Sequence, residues 1–289
     1  QGQLDTLWTN TFGGQEVDKG YSIQESIDGG FIIAGNTESF GNGSVDIYLI
    51  KTDSIGNEEW NKLYGGRAKQ IIKTNDNGYA IIGWTIYSRD YLTWLLKTNS
   101  NGDTTWTKTY DGEGHSIIQL SNGDYAFTGE VYIGTSVASL TKTNSNGDIL
   151  FTSTYDLALE TMGRSIASVN DSIFYIGGKV VVNSAGATDK VFLIKTDSNG
   201  NQLWHYNYLQ EVCCISTVKI KILDDGILVM GSRGNAFLFK TNFDGDIVWS
   251  NEFSDFQSGS INDALVKDDG NILAFGPIQS TTNIGNGAL

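Results

Sequence analysis

The chain has 289 residues, 33 of them acidic against 19 basic, for a formal charge of −14 and an apolar content of 39%. Such a surface repels phosphate backbones and anionic lipid, which excludes general nucleic-acid binding and argues against anionic membranes. No stretch reaches the roughly 18 consecutive apolar residues of a spanning helix, so a soluble chain without membrane insertion is expected.

In chain order, Leu4 to Phe12 reads as a strand carrying Trp8 and ending at Gly13-Gly14. A strand near 22–27 follows, then the turn Asp28-Gly29-Gly30, a strand near 31–36, and a loop from Asn36 to Val45. The next unit, Leu49-Ile50-Lys51-Thr52, leads through a turn at Gly56 to a strand with Trp60 and the pair Gly65-Gly66. The cycle then restarts. Its lysine returns at Lys97, Lys142, Lys195 and Lys240, spaced 46, 45, 53 and 45 residues apart. Repetition at this period signals a repeat architecture.

Each cycle holds four strands, A to D. Strand A falls near 22–27, 70–75, 116–121, 165–170, 219–224 and 264–268, and strand B near 31–36, 79–84, 125–130, 174–178, 227–232 and 272–277. Strand C ends in Lys-Thr and strand D carries an aromatic residue. Strand B closes on Gly35, Gly83, Gly129, Gly177, Gly231 and Gly276, which points to a close backbone approach near the axis.

Four antiparallel strands per repeat without helical periodicity form the pattern of a β-propeller blade. The expected fold is an all-β, six-bladed propeller in one domain over 1–289. Its ring is closed by the N-terminal strand, because the chain opens on a lone strand D and stops after strand B of the sixth cycle. The last blade lacks an evident third strand. Its tail, Asn283 to Leu289, resembles Ser39 to Val45. Three explanations stay open: a chain cut short there, a tail filling the slot, or a longer native chain supplying the strand.

The units Lys51-Thr52-Asp53…Gly56…Trp60 and Asp28-Gly29-Gly30-Phe31, repeated along essentially the whole chain, resemble secreted bacterial and archaeal propeller repeats. These repeats are common in surface proteins of the Bacteroidota. The resemblance implies an exported, cell-surface protein and no particular activity. The start at Gln1 and the scarcity of cysteine fit a secreted bacterial product. Cys213 and Cys214 are adjacent, read as two reduced thiols with a strained vicinal disulfide as the alternative. Their spacing matches no zinc pattern.

Motifs for catalysis are missing. There is no Gly-x-Ser-x-Gly elbow, Walker loop, His-Glu-x-x-His or dinucleotide fingerprint, and His115 and His205 are the only histidines. No cofactor and no metal is expected. The Asp/Asn-Gly segments at 53–57, 99–103, 144–148, 197–201 and 242–246 resemble calcium loops but suit hairpin turns better. The strand-D aromatics Trp8, Trp60, Trp106, Phe151, Trp204 and Trp249 suit packing between blades, with sugar stacking as the alternative. The Lys-Thr lysines suit buried stems with solvated heads.

Two departures from the repeat are candidate sites. Just before strand A the cycles carry Tyr21, Lys69, His115, Arg164, Val218 and Asp263, expected around one mouth of the channel. There Lys69, His115 and Arg164 form a cationic set suited to a carboxylate or sugar acid, set against six unrelated solvated residues. The second is the loop from Trp84 to Trp94, with Tyr87, Arg89, Asp90 and Tyr91, suited to a glycan or peptide, set against Trp84 and Trp94 as core with only Tyr87 exposed. The function expected is a secreted or cell-surface, non-catalytic binding or scaffold module, monomeric, with a glycan or protein partner. One alternative is a polysaccharide hydrolase or lyase using Glu113, Glu160, Glu211 or Asp263. The other is a structural repeat of a larger surface protein.

Overall fold

The computed structural model describes residues 8–42, 45–88, 90–183, 188–213, 215–253, 258–267 and 270–279. The predicted calls on Leu4 to Leu7, Arg89, Cys214 and the tail from 280 lie outside them, and of Glu211 and Cys213 only the backbone is described. Among the described residues there is no helix, and so none able to cross a membrane.

Five four-stranded antiparallel sheets follow the five complete cycles. The first holds β1 (Asp18–Glu25), β2 (Phe31–Thr37), β3 (Asp46–Thr52) and β4 (Glu58–Gly65). The second holds β5 (Arg67–Lys73), β6 (Tyr79–Tyr87), β7 (Asp90–Thr98) and β8 (Thr104–Asp111). The third holds β9 (Glu113–Gln119), β10 (Tyr125–Tyr132), β11 (Ser136–Thr143) and β12 (Ile149–Tyr155). The fourth holds β13 (Glu160–Val169), β14 (Ile173–Asn183), β15 (Thr188–Thr196) and β16 (Gln202–Cys213). The fifth holds β17 (Thr217–Leu223), β18 (Gly226–Arg233), β19 (Asn235–Thr241) and β20 (Ile247–Phe253). The sixth cycle contributes two strand pairs: β21 (Ser258–Gly259) with β24 (Ile278–Gln279), and β22 (Asp263–Val266) with β23 (Ile272–Phe275).

The chain divides into two compact units, 1–126 with 143–149, and 127–142 with 150–289. In the first, β1, β5 and β9 lie side by side in that order. Apolar residues alternating along the strands, among them Ile32, Leu49, Ile71, Ile81 and Leu96, form the core between the first two sheets. In the second, β13 lies beside β17. Tyr175, Leu193, Val218, Val229 and Phe239 fill the space between the fourth and fifth sheets. Leu228, Met230, Ile261 and Ala264 pack the sixth-cycle strands against the fifth sheet.

Each C–D turn is built by its first side chain. Asn99 Oδ1 accepts from the N–H groups of Asn101 and Asp103, both at 2.9 Å, and Gly102 takes the left-handed φ of +79° that closes the turn. That glycine lies against the strand-D aromatic of the preceding sheet. A Cβ on Gly102 would sit 2.8 Å from the Trp60 ring, and one on Gly147 would sit 3.0 Å from Trp106. Gly200 meets Phe151 in the same way. Packing between sheets is therefore the role of these aromatics. A second lock escaped the sequence reading. The Tyr64 hydroxyl donates to Gly102 O, Tyr110 to Gly147 O at 2.8 Å, Tyr155 to Gly200 O at 2.9 Å and Tyr208 to Gly245 O at 2.7 Å. In the fifth sheet the ring against Gly245 is Tyr206, while Trp204 packs on Tyr175 instead.

Three expectations are corrected. Residues 8–12 are not a strand, although Trp8 does lie on Gly56 and Asn10 Nδ2 donates to Gly56 O at 2.7 Å, where a tyrosine hydroxyl serves in later sheets. The Lys-Thr lysine heads are not solvated in the first two sheets. Lys51 is 5% exposed, with its ammonium on Asp28 and Glu59, each at 2.7 Å. Lys97 likewise grips Asp76 at 2.8 Å, so strand C is tied to the A–B turn. The third concerns the fourth sheet, where the expected close backbone approach belongs to a different glycine. A side chain at Gly35, Gly83, Gly178 or Gly231 would collide with a strand-A carbonyl, and one at Gly276 with Ser260 O just ahead of strand A; in the fourth sheet Gly178 takes this place, not Gly177.

Tyr110→Phe removes a buried hydrogen bond and leaves Gly147 O unpaired, so the urea midpoint should fall by an equivalent of about 1–2 kcal/mol. Burial pushes the Asp76 carboxyl up, but the Lys97 ammonium, the Thr74 hydroxyl and the Gly78 N–H outweigh it and hold the group at about 2. A folded value below the usual carboxylate value of about 3.9 adds stability that is fully present above that pH and is lost as pH falls toward 2. Lys97→Met should flatten this acid limb in pH-dependent urea unfolding.

Candidate functional site

Three of the six residues singled out before strand A share a backbone feature. In β1, Gly20 pairs with Gly35 and Ser22 with Ala34, so Tyr21 is the extra residue of a β-bulge. Lys69 is the extra residue between Ala68 and Gln70 in β5, and Arg164 between Gly163 and Ser165 in β13. A bulge re-aims one side chain and interrupts pairing locally. The residue after it then turns to the neighbouring inner strand. Ser22 Oγ donates to Ile71 O at 3.4 Å, Gln70 Oε1 accepts from Ile117 N at 2.8 Å, and Ser165 Oγ accepts from Ile220 N at 3.2 Å. One local geometry thus displays three unlike side chains.

The row is not an open cationic set. In the first unit, the Lys69 ammonium lies 5.9 Å from the centroid of the Tyr21 ring, a cation–π pair. His115 is buried, at 8% exposure, and has Glu113 two residues before it on the same face of β9, their ligand atoms within 4.8 Å. In the second unit, Arg164 faces Glu130 at 3.6 Å and donates to the Met162 sulfur. Val218 is core, and Asp263 is exposed at the start of β22. Each cation of the row therefore has a partner near it.

Those partners disclose a second variable row, the residue after the strand-B glycine: Asn36, Trp84, Glu130, Lys179 and Ser232. Asn36 Oδ1 accepts from Ala68 N at 2.7 Å, and Ser232 Oγ shares a hydrogen bond with Ser216 Oγ at 2.8 Å. Lys179 lies 3.6 Å from the buried Asp189, which also accepts from Ile215 N at 3.0 Å. The signal was present in the sequence as Gly-x ending each strand B, with x different in each cycle.

The Trp84–Trp94 segment is a hairpin rather than a loop. β6 and β7 stay paired out to Tyr87 and Asp90, and Ser88 takes a φ of +50° in the turn. Tyr87 is 71% exposed, Tyr91 51% and Ile86 58%, so more than Tyr87 faces solvent. Trp84 and Trp94 are half-buried. Tyr91 meets Trp84 edge-on at 5.2 Å, and the Arg67 guanidinium lies 5.1 Å from the Trp84 ring centroid. Among the described residues the arginine beside these rings is Arg67, from the neighbouring strand, which the sequence did not single out; Arg89, expected there, lies outside them.

The C–D turns are hairpin turns. Asn144 Oδ1 is taken by the N–H groups of Asn146 and Asp148, and its Nδ2 donates to Asp148 Oδ2 at 3.2 Å. Asp53 and Asn57 form the same pair with acid and amide exchanged. The oxygens a calcium ion would need are spent on the turn.

No family model matches the chain, and no curated protein is similar to it in sequence. Solved structures are similar in fold. A protein of unknown function from Bacteroides caccae has 15% identity, coverage of 84% of this chain and 83% of that one, and a TM-score of 0.51. The Neurospora crassa Pan2 WD40 domain has 9% identity, coverage of 90% and 86%, and a TM-score of 0.53. The β-propeller domain of the Trilobed protease from Pyrococcus furiosus has 8% identity, coverage of 93% and 79%, and a TM-score of 0.52. WD40 domains are propellers. The likeness shows an all-β propeller fold and nothing of activity.

Millimolar calcium should leave the melting temperature unchanged. Asn144→Ala should lower stability by about 1 kcal/mol in urea unfolding, through the lost turn bonds.

Proposed function

We propose that the chain is a non-catalytic binding module, secreted or at the cell surface, on a single six-bladed propeller whose N-terminal segment completes the sixth blade. Trp8 and Asn10 on Gly56 support that closure, since they repeat the contacts that strand D makes on later turns. The observation that carries the function is the recurrence of one β-bulge that displays Tyr21, Lys69 and Arg164 from equivalent positions. A conserved local geometry holding different side chains is how a repeat scaffold builds an asymmetric surface. Lys69 on Tyr21 in the first unit, and Arg164 facing Glu130 in the second, each suit a polyhydroxyl glycan or a protein surface of mixed charge better than a bare anion.

A second reading, a polysaccharide hydrolase or lyase, is favoured by Glu113 beside His115, two groups able to act as acid and base whose ligand atoms lie within 4.8 Å of each other.

Thermal shift against a panel of neutral and acidic glycans tests both, since a ligand of the folded state raises the melting temperature. A shift that disappears in Lys69→Ala or Arg164→Ala supports the binding face. A shift unaffected by either variant removes that face as the site. Turnover of any polysaccharide, lost in Glu113→Gln, would replace the binding reading with the enzymatic one.

A further inference from the structure

We infer that the Arg67–Trp84–Tyr91 strip on the second sheet is a binding site for a glycan carrying a single uronic acid. The strip is separate from the bulge row, so the inference goes beyond the face described above.

The strip follows from the register. Arg67 is directly opposite Trp84, and Ile86 is directly opposite Tyr91. Side chains alternate along a strand, so Arg67, Trp84, Ile86 and Tyr91 share one face, while Tyr87 and Asp90 point to the other. The hairpin runs well past the point where the other strand-B glycines close, which leaves Ile86 and Tyr91 more than half exposed.

The ligand class comes from the cation. Three arginines have described side chains. Arg164 faces Glu130, and Arg233 is paired with Glu252 through Nε at 3.1 Å and through a second, closer contact. Among the described residues no carboxylate lies within ion-pair distance of Arg67, and its one recorded partner is the Trp84 ring, 5.1 Å away. A guanidinium placed over an indole keeps its donor fork available for bidentate contact with a carboxylate. In a chain of charge −14 an arginine left without an acid stands out as a place for an acid from outside.

The exposed Tyr91 ring next along the strip offers a face for the apolar side of a pyranose, so that carboxylate and ring are recognised side by side. The same net charge limits the ligand. A polyuronate would be repelled along its length, whereas one carboxylate on an otherwise neutral glycan meets only the local field of Arg67.

The test is calorimetric titration of the full chain with a disaccharide ending in glucuronic acid and with its neutral counterpart ending in glucose. The acid form should bind about tenfold to a hundredfold more tightly than the neutral form, and Arg67→Gln should erase that difference. Arg67→Lys should recover only part of it, because an ammonium lacks the fork. Tyr91→Ala, at an exposed position that poses no folding problem, should weaken both sugars. Equal binding of the two sugars, no binding of either, or an acid preference that survives in Arg67→Gln would overturn the proposal. So would tighter, Arg67-dependent binding of a short glutamate-containing peptide, which would make the strip a protein-docking surface.

Discussion

A glycine with φ near +80°, pressed on one side by an aromatic ring and tied by its carbonyl to a tyrosine hydroxyl, is the contact on which the repeats depend. The turn can form only if that residue lacks a side chain, because a Cβ would be strained by the dihedral and would enter the ring of the preceding sheet. Local turn chemistry and packing between sheets are thus satisfied by one residue. Asn or Asp opens the turn, glycine closes it, and the opened space receives Trp60, Trp106 or Phe151. The tyrosine bond fixes the height at which neighbouring sheets meet. A flat aromatic contact alone leaves that height free to slide.

With the outer turns held this way, the inner strands are free to vary. The bulges in β1, β5 and β13 each lend one position to display, and the following residue holds the inner strands together. The fold separates the work: outer turns supply cohesion from invariant chemistry, and inner bulges present unlike groups. The lysine at the end of strand C belongs to the cohesive part. In the first two sheets its ammonium is buried against the aspartate of the A–B turn, so its desolvation is offset by ion pairing and by a carbonyl contact.

Internal pairing changes what the display can recognise. Taken one at a time, Lys69, His115 and Arg164 read as a cationic cluster. In the fold, Lys69 is engaged with an aromatic face and Arg164 with a carboxylate, each within its own unit. Among the described residues the arginine left without a carboxylate is Arg67, at the edge of an aromatic hairpin. The region of the molecule suited to an acid is therefore displaced from where single residues suggested it.

The sequence alone determined the strand order of the five complete cycles, the turn glycines and the packing role of the aromatics. These are local: period-two alternation, Asx-turn residues and left-handed glycine are legible wherever a few neighbouring residues impose them. Only the tertiary structure decided how those residues pair. Tyr64, Tyr110, Tyr155 and Tyr208 find acceptors 37 to 45 residues away in the chain, Arg164 finds Glu130, and Arg67 finds the Trp84 ring. A bulge, likewise, is visible only against its partner strand, since one extra residue is extra only by comparison with the register opposite. Pairing across sheets is set by how repeats stack, and that is a property of the packed chain which no window of sequence contains.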